Sequence, residues 1–332
     1  MSNNLRVIIP VAGAGTRLRP HTFSMPKPLI PVAGKPMLAH VLDPLIELTP
    51  VEVCLVIGHL GEQIQEYIDS SYDFKATYVK QEELLGLGYA VYLALKKLEP
   101  GPVLVCLGDT IARTDFMSFI EAGENVIGLQ KVLDPRRFGV AVINDNKITE
   151  FEEKPQHPRS DLAIIGLYYF HDSAILLSQL EKLVDLDKRT DGEIQLTDAL
   201  EYMIQMGESF TPYEVNGWYD CGKVETVLQT NRQLLKDFAS FRDYPGSVII
   251  PPVFIANTAV IEESVVGPYV SISDGAVIKR SIIKDSIVFN GASVRQSTLE
   301  SSLIGERAAV KGTFRRLNIG ESSGFGDLKV KN

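Results

Sequence analysis

A loop of small residues near the start of the chain, followed by two cations, has the composition of a phosphate-binding site. An apolar run over residues 7–11 leads into the segment Ala12-Gly13-Ala14-Gly15-Thr16. Glycine and alanine let backbone N–H groups approach a ligand closely, and consecutive amides form a concavity that suits anions. Arg17 then offers a planar fork for phosphate oxygens, and Lys27 adds a compact point charge. We therefore predict a nucleoside triphosphate site.

The spacing of the glycines distinguishes this loop from two commoner phosphate-binding loops. The third glycine of the dinucleotide-binding fingerprint is missing, and no Gly-Lys-Ser/Thr follows as in a Walker loop. A Gly-x-Gly pair alone is equally typical of a tight turn. The prediction therefore depends on the whole unit, in which the loop is followed by Thr16-Arg17, Lys27-Pro28 and Gly34-Lys35-Pro36.

Two acidic residues in distant parts of the chain are candidate metal ligands. Asp109 follows the apolar run 103–107, and Asp220 lies in the segment Trp218-Tyr219-Asp220-Cys221-Gly222. An acid directly after a buried strand costs free energy unless it is paired or bound to a metal. Two carboxylates together with phosphate oxygens and water suit Mg²⁺, which nucleotidyl transfer usually needs. Each aspartate alone could equally be a helix cap or a loop acid.

These residues need a fold that brings distant segments together, and residues 1–240 have such a pattern. Short β-branched runs predict strands over 53–58, 103–107, 125–131 and 162–170. Helical patterns alternate with them over 35–48, 60–70, 88–98, 116–122, 173–183 and 194–206. This alternation predicts an α/β domain with a Rossmann-like, mostly parallel sheet flanked by helices. Because ligands bind beyond the carboxyl ends of such strands, the first loop and Asp109 should converge.

The pattern changes after about residue 245, where a short repeat replaces helical periodicity. Aliphatic residues recur every five or six positions, at Ile255, Ile261, Val266, Ile272, Ile278, Ile283, Val288, Val294, Leu299, Ile304 and Val310. This spacing predicts a left-handed β-helix of hexapeptide repeats with about four coils. An ordinary antiparallel sheet is the alternative. We therefore expect a catalytic domain over 1–240, a linker over 241–250 and a β-helix domain over 251–332.

The composition limits the class of protein and its surroundings. The 332 residues carry a net charge of −9, which argues against a general nucleic-acid surface, so a polyanionic substrate needs a local cationic cluster. The three cysteines fit a reducing compartment, and we expect a cytoplasmic protein. There is no signal-peptide pattern and no run of about 18 apolar residues, so no membrane partner is expected.

Together these motifs resemble those of the sugar-1-phosphate nucleotidyltransferases, and the resemblance covers almost the whole chain. The family signature is similar to Leu-Ala-Gly-Gly-x-Gly-Thr-Arg-Leu followed by two Lys-Pro pairs. Here Pro10-Val11 replaces Leu-Ala, and Ala12 replaces the first glycine. The loop variant and Cys221 resemble the glucose-1-phosphate uridylyltransferase branch. Segment 134–140 and the C-terminal repeat resemble long-form glucose-1-phosphate thymidylyltransferases.

The resemblance implies a role for each matching residue. Asp109 and Asp220 correspond to the family's Mg²⁺ ligands, and Arg17 and Lys27 to its catalytic cations. The expected nucleotide-binding residues are Ala12, Gly13, Ala14, Gly15, Thr16, Gln81 and Gly86. The expected sugar-phosphate-binding residues are Gly139, Glu153, Lys154 and Tyr168.

Some of these segments also have ordinary structural interpretations. The Gln81 amide can donate and accept at the imide edge of a pyrimidine, but its segment is also typical of a helix N-terminus. The Glu153-Lys154-Pro155 motif could be a charged turn. The segment 191–198 matches the family too, and there we predict mainly a helix start at Thr197-Asp198, with Glu193 a weaker substrate candidate.

The implied reaction joins a nucleoside triphosphate, dTTP or UTP, to a hexose-1-phosphate and releases pyrophosphate. Glucose-1-phosphate is the first sugar to expect, and the protein is expected to form a homo-oligomer. Two alternatives stay open. The protein could be a non-catalytic regulatory relative, but all the catalytic positions are filled here, which argues against that. A bifunctional enzyme with an acyltransferase tail is opposed because no histidine follows His171.

Overall fold

The computed structural model describes residues 4–237 and 242–312. The chain divides into two compact units, Met1–Leu234 and Leu235–Asn332. The predicted border between catalytic domain and linker, at residues 240 and 241, lies outside the described residues. Within the described ranges, no helix is long and apolar enough to cross a membrane.

The first unit is built on a large sheet that packs against helices. Its strands are β1 Arg6–Pro10, β2 Pro31–Val32, β3 Lys35–Pro36, β4 Glu52–Ile57, β5 Ala76–Lys80, β6 Val103–Cys106, β7 Thr110–Arg113, β8 Asn125–Lys131, β9 Gly139–Asn144, β10 Lys147–Glu153, β11 Leu162–Phe170, β12 Thr211–Glu214 and β13 Gly217–Asp220. Its helices are α1 Met37–Ile46, α2 Gly61–Ser71, α3 Leu87–Leu95, α4 Phe116–Glu121, α5 Ser173–Asp185, α6 Leu196–Gln205 and α7 Val224–Leu235.

The centre of the sheet consists of parallel strands in the order β6-β1-β4-β5. Ile8 pairs with Cys54 on one side and Val105 on the other, and none of the three is exposed to solvent. Such strands are buried on both faces, which is why they stand out as continuous apolar runs. The strand β11 joins β6 in the antiparallel direction, and β8, β9 and β10 extend the sheet beyond it. The predicted, mostly parallel α/β sheet is confirmed, and each predicted helix is present.

The sequence pattern missed the antiparallel hairpin formed by β9 and β10. Four of the seven residues of β10 are charged, and only Ile148 and Phe151 are buried in it. The sequence does contain a turn signal, the pair Asp145-Asn146. Both residues adopt positive φ angles, of 49° and 60°. Two such residues are typical of a two-residue hairpin.

The carboxyl ends of β1, β4 and β6 lie side by side, and glycines allow the loops after them to touch. A Cβ atom at Gly58, after β4, would lie 2.5 Å from the carbonyl oxygen of Ala12. A Cβ atom at Gly108, after β6, would lie 2.2 Å from a methyl carbon of Val11. The predicted convergence of the first loop with the 107–109 segment therefore occurs at this edge.

The second unit consists of short parallel strands stacked in three sheets. The strands are β14 Val248–Ile249, β15 Val253–Ile255, β16 Val260–Glu262, β17 Val265–Val266, β18 Val270–Ile272, β19 Val277–Lys279, β20 Ile282–Lys284, β21 Ile287–Val288, β22 Ser293–Arg295, β23 Thr298–Glu300, β24 Leu303–Ile304 and β25 Ala309–Lys311. Up to residue 312, where the described chain ends, every third strand pairs in parallel, as in the predicted left-handed β-helix.

The predicted aliphatic repeat forms the axis of this unit. In one sheet Ile255, Ile272, Val288 and Ile304 align in register, and the same holds for the repeat positions of the other two sheets. The repeat begins one repeat unit earlier than predicted, because Ile249, six residues before Ile255, aligns with Val266. The final segment of the predicted domain, 313–332, lies outside the described residues.

A ladder of serines fixes the spacing between successive coils. The backbone N–H groups of Ser264, Ser281 and Ser297 each donate to the hydroxyl of the serine one coil earlier, at 3.1–3.2 Å. Each turn also carries a residue at positive φ, namely Glu263 at 48°, Arg280 at 48° and Gln296 at 51°. Because a polar group at a buried corner costs free energy when it lacks a partner, this pairing stabilises the turns.

We predict that the aliphatic axis, and not the aliphatic surface, stabilises the second unit. Ile278 is fully buried, whereas Ile282, in the next strand, is 51% exposed. Ile278→Ala should therefore lower the free energy of unfolding by about 2–5 kcal/mol, through lost burial and a residual cavity. The matched change Ile282→Ala should stay within about 0.5 kcal/mol. Denaturant unfolding of the two variants measures the difference, and equal losses would contradict a packed axis.

Candidate active site

The loop after β1 folds tightly beside Lys27. Gly15 has φ 58°, in the left-handed region, and a Cβ atom there would lie 2.9 Å from Cβ of Lys27. The buried hydroxyl of Thr22 donates to the Gly15 carbonyl at 2.9 Å and anchors the loop from behind. Glycine at this position therefore satisfies both the backbone conformation and the close approach of the lysine.

The two predicted metal ligands are brought together by the pairing of β7 with β13. Asp220 lies opposite Thr110 in this antiparallel ladder, and the Cys221 N–H donates to the Asp109 carbonyl at 3.2 Å. Burial raises the pKa of Asp220, and the neighbouring Asp109 carboxylate raises that pKa further. Two acids that are distant in sequence thus share one electrostatic environment.

Two cations face these acids. The ammonium group of Lys27, which is only 7% exposed, donates to the Asp109 carboxylate. Lys27 and Arg17 both oppose the rise in the pKa of Asp220. A Cβ atom at Gly222 would lie 3.0 Å from an Asp220 carboxylate oxygen and 3.2 Å from an Arg17 guanidinium nitrogen. The four charged side chains therefore form one cluster.

A cavity of about 550 Å³ opens beside this cluster. The predicted site residues that line it are Ala12, Gly13, Ala14, Gly15, Thr16, Arg17, Lys27, Gln81, Gly86 and Asp109. Glu193, the weaker candidate, lines it as well. The structure therefore gathers the first loop, the 81–86 segment and one metal-ligand candidate around a single space.

The segment that carries Gln81 forms part of the cavity lining. Gln81 is buried, with 5% of its surface exposed, and its amide nitrogen lies 3.4 Å from the Gly86 carbonyl. Gly86 has φ 106°, and a Cβ atom there would lie 2.7 Å from Cβ of Glu193. The helix α3 begins directly afterwards, so the structural interpretation of this segment also holds.

The predicted sugar-phosphate residues form a second group, on β9, at and directly after the end of β10, and on β11. Glu153 pairs with Gly139 in the β9–β10 ladder, and a Cβ atom at Gly139 would lie 3.0 Å from the Glu153 carboxylate. Lys154 lies beside the same carboxylate, with 3.3 Å between the ammonium nitrogen and the nearer oxygen. Tyr168 is only 4% exposed and packs in the core, and burial together with the Glu153 charge raises its pKa.

Sequence reasoning missed two residues at this second group. Thr197 lies in the first turn of α6, as predicted, but its hydroxyl also donates to the Glu153 carboxylate at 2.7 Å. Trp218 stacks edge-on against Phe138 with 5.2 Å between ring centres. Its buried indole N–H has no hydrogen-bond partner among the residues that the structure describes.

Comparison with known proteins identifies the first unit. A profile described as nucleotidyl transferase matches residues 6–237, which is more than half of the chain. The chain belongs to the nucleotidyl transferase family. The relationship predicted from the loop and aspartate motifs is thereby confirmed.

This nucleotidyl transferase resembles curated relatives along nearly its whole length. It is 31% identical over 350 residues to the low-salt glycan biosynthesis nucleotidyltransferase Agl11 of Haloferax volcanii, covering 94% of this chain and 97% of that protein. It is 30% identical over 337 residues to a glucose-1-phosphate thymidylyltransferase of Streptomyces griseus, covering 92% and 93%. The similarity therefore includes the second unit.

A solved structure shares the fold of the nucleotidyl transferase unit. The crystal structure of UDP-glucose pyrophosphorylase complexed with UDP-glucose aligns with a TM-score of 0.64. The alignment covers 71% of this chain and 100% of that chain, at 23% sequence identity. At that identity the comparison supports the architecture alone.

We predict that the two glycines of the first loop differ in their tolerance of a side chain. Gly15→Ala places a Cβ atom at positive φ and against Lys27, which should destabilise the fold by about 1–2 kcal/mol. A Cβ atom at Gly13 meets nothing within 4 Å, so Gly13→Ala should stay within about 0.5 kcal/mol. Thermal unfolding compares the pair. A Gly15→Ala protein as stable as Gly13→Ala would show that the loop is not strained there.

Proposed function

We propose that this nucleotidyl transferase is a Mg²⁺-dependent enzyme that condenses dTTP or UTP with a hexose-1-phosphate and releases pyrophosphate. The observation that carries the proposal is the convergence of the small-residue loop, two cations and Asp109 around one cavity, with Asp220 alongside. One relative is a glucose-1-phosphate thymidylyltransferase, and one structural neighbour binds UDP-glucose. Glucose-1-phosphate is therefore the first sugar to test.

The nucleotide would occupy the cavity, with its phosphates against the loop and its base near Gln81. The loop amides of residues 12–16 and the Arg17 guanidinium suit a triphosphate in both charge and shape. The Gln81 amide can donate and accept at the imide edge of uracil or thymine. Gly86 lines the same cavity as Gln81, and without a side chain there the backbone can approach the base closely.

The sugar phosphate would bind at the second group. Lys154, whose side chain is 41% exposed, is available to a phosphate oxygen. Thr197 orients the Glu153 carboxylate, which can then accept hydrogen bonds from sugar hydroxyls. Gly139 would offer its backbone amide, and Tyr168 would form part of the wall behind the sugar.

The two aspartates fit a divalent cation by the chemistry of their donors. No three His, Cys, Asp or Glu side chains converge on a metal site in the described parts of the chain, so phosphate and water oxygens would complete the ligand set. That mixture is the one Mg²⁺ prefers. Bound to Asp109 and Asp220, Mg²⁺ would neutralise charge on the triphosphate.

The proposed chemistry is an in-line displacement. An oxygen of the sugar phosphate forms a bond to the α-phosphorus of the nucleotide, and the bond from that phosphorus to the leaving pyrophosphate oxygen breaks. Arg17 and Lys27 stabilise the negative charge during transfer. Because both reactants would be held together in one cleft, no covalent enzyme intermediate is needed.

The second unit would serve assembly and not a second reaction. Its interior is an aliphatic axis, and the sequence from 251 to 332 contains no histidine that could act as a base for acyl transfer. Val248 and Ile250 expose 56% and 41% of their surfaces, which would suit contacts in a cytoplasmic homo-oligomer.

The proposed function predicts a defined substrate profile. Pyrophosphate release should be fastest for UTP or dTTP with glucose-1-phosphate. GTP, ATP and CTP should be slower by tenfold or more, because a mismatched buried amide costs about 1–3 kcal/mol. The measurement is kcat/KM for five nucleotides with a set of sugar-1-phosphates. A preference for GTP or ATP would contradict the assignment of Gln81.

The same pyrophosphate-release assay tests the two proposed metal ligands. Asp109→Asn and Asp220→Asn should each lower kcat by about 100-fold, the scale of a lost electrostatic contact in a dry site. Near-native turnover of either variant at saturating Mg²⁺ would show that the substituted aspartate is not a Mg²⁺ ligand.

We also predict that the two cationic groups divide the substrates between them. Lys154→Ala should raise KM for the sugar phosphate about tenfold or more, through loss of a charged hydrogen bond, and leave the KM of the nucleotide unchanged. Lys147→Ala, at the exposed first residue of β10, the strand that Lys154 directly follows, is the matched control and should change neither value. Loss of nucleotide binding in Lys154→Ala would refute this division.

A further inference from the structure

The ammonium group of Lys27 lies at the carboxylate that is proposed to hold the metal. It donates to one oxygen of Asp109 and forms an ion pair with it. The side chain of Lys27 is 8% exposed, whereas that of Asp109 is 37% exposed. The lysine therefore approaches from the protein side, and the carboxylate keeps an open side toward the cavity.

The same ammonium group also interacts electrostatically with the second aspartate, Asp220. Asp220 lies next to Asp109 across the β7–β13 ladder and interacts electrostatically with Lys27. One lysine thus compensates charge at both acids. Two carboxylates held this close repel each other in the absence of a cation, so the lysine stabilises their arrangement.

The stem of Lys27 has little freedom to point elsewhere. Its Cβ and Cδ atoms pack against Gly15, at 2.9 and 3.5 Å from the position of a Cβ atom there. The first loop, which is tied by Thr22, therefore forms one wall of the lysine's channel. Lys27 and the loop line the same cavity, so a phosphate bound against the loop would lie beside this lysine.

We propose that Lys27 is an internal counter-ion that keeps divalent cations off Asp109 and Asp220 until a triphosphate arrives. In the nucleotide-free enzyme the ammonium group competes with a metal for the same carboxylate. A bound triphosphate draws the ammonium group to its oxygens and leaves the carboxylates open. Because linkage is reciprocal, nucleotide and metal then increase each other's affinity. This inference rests on the proposed metal role of the two aspartates.

The test is a titration of the nucleotide-free, full-length protein with Mn²⁺, in which free Mn²⁺ is followed by electron paramagnetic resonance. Removal of the lysine charge in Lys27→Met should tighten Mn²⁺ binding about tenfold or more relative to wild type, since a positive charge at contact distance opposes a divalent cation. Lys27→Arg keeps the charge and should bind Mn²⁺ as weakly as wild type. The double change Lys27→Met with Asp109→Asn should lose the tight binding again.

Each arm of this experiment can overturn the proposal. The proposal is wrong if two neutral variants, Lys27→Met and Lys27→Gln, bind Mn²⁺ with affinities within about twofold of wild type. Thermal unfolding must show that both variants are folded. Tight Mn²⁺ binding by Lys27→Arg would also contradict the proposal. So would tight Mn²⁺ binding by the double variant Lys27→Met with Asp109→Asn. The titration needs no nucleotide, so it reports on the counter-ion even if the pyrophosphate-release assay disproves the proposed reaction.

Discussion

The close approach of three loops at the carboxyl ends of β1, β4 and β6 is the constraint on which the candidate site depends. The approach requires Gly58 and Gly108, because a side chain at either position would occupy space already filled by Ala12 or Val11. With these contacts in place, the first loop lies within reach of Asp109. The strand β7 then begins directly beyond Asp109, and its pairing with β13 brings Asp220 to the same point.

The elements with one consistent local signal could be predicted from the sequence. Buried parallel strands such as β4 and β6 are continuous apolar runs, and the aliphatic repeat of the second unit fixes its stacking to the residue. Prediction failed for strands whose formation depends on tertiary contacts. The strands β12 and β13 are short and partly exposed, and they form because β8 and β7 offer free edges to them.

The candidate site was predicted in the same uneven way. Motif residues such as Arg17 and Lys27 were found because their chemistry is visible in sequence. The residues that anchor the Gly15 carbonyl and the Glu153 carboxylate were not found, because Thr22 and Thr197 carry no charge and show no chemistry in the sequence. A threonine at the start of a helix has an ordinary explanation, and only the fold shows that its hydroxyl reaches Glu153.

The serine ladder of the second unit has a consequence for how this protein family can vary. Each coil presents to its successor the same hydroxyl acceptor and receives the same N–H donor from it, and Gly312 continues the series by donating to Ser297. This pairing therefore repeats from coil to coil, and duplicating or deleting one coil would re-create it at the junction. The length of this unit can change through evolution by whole coils, without altering the chemistry of the first unit.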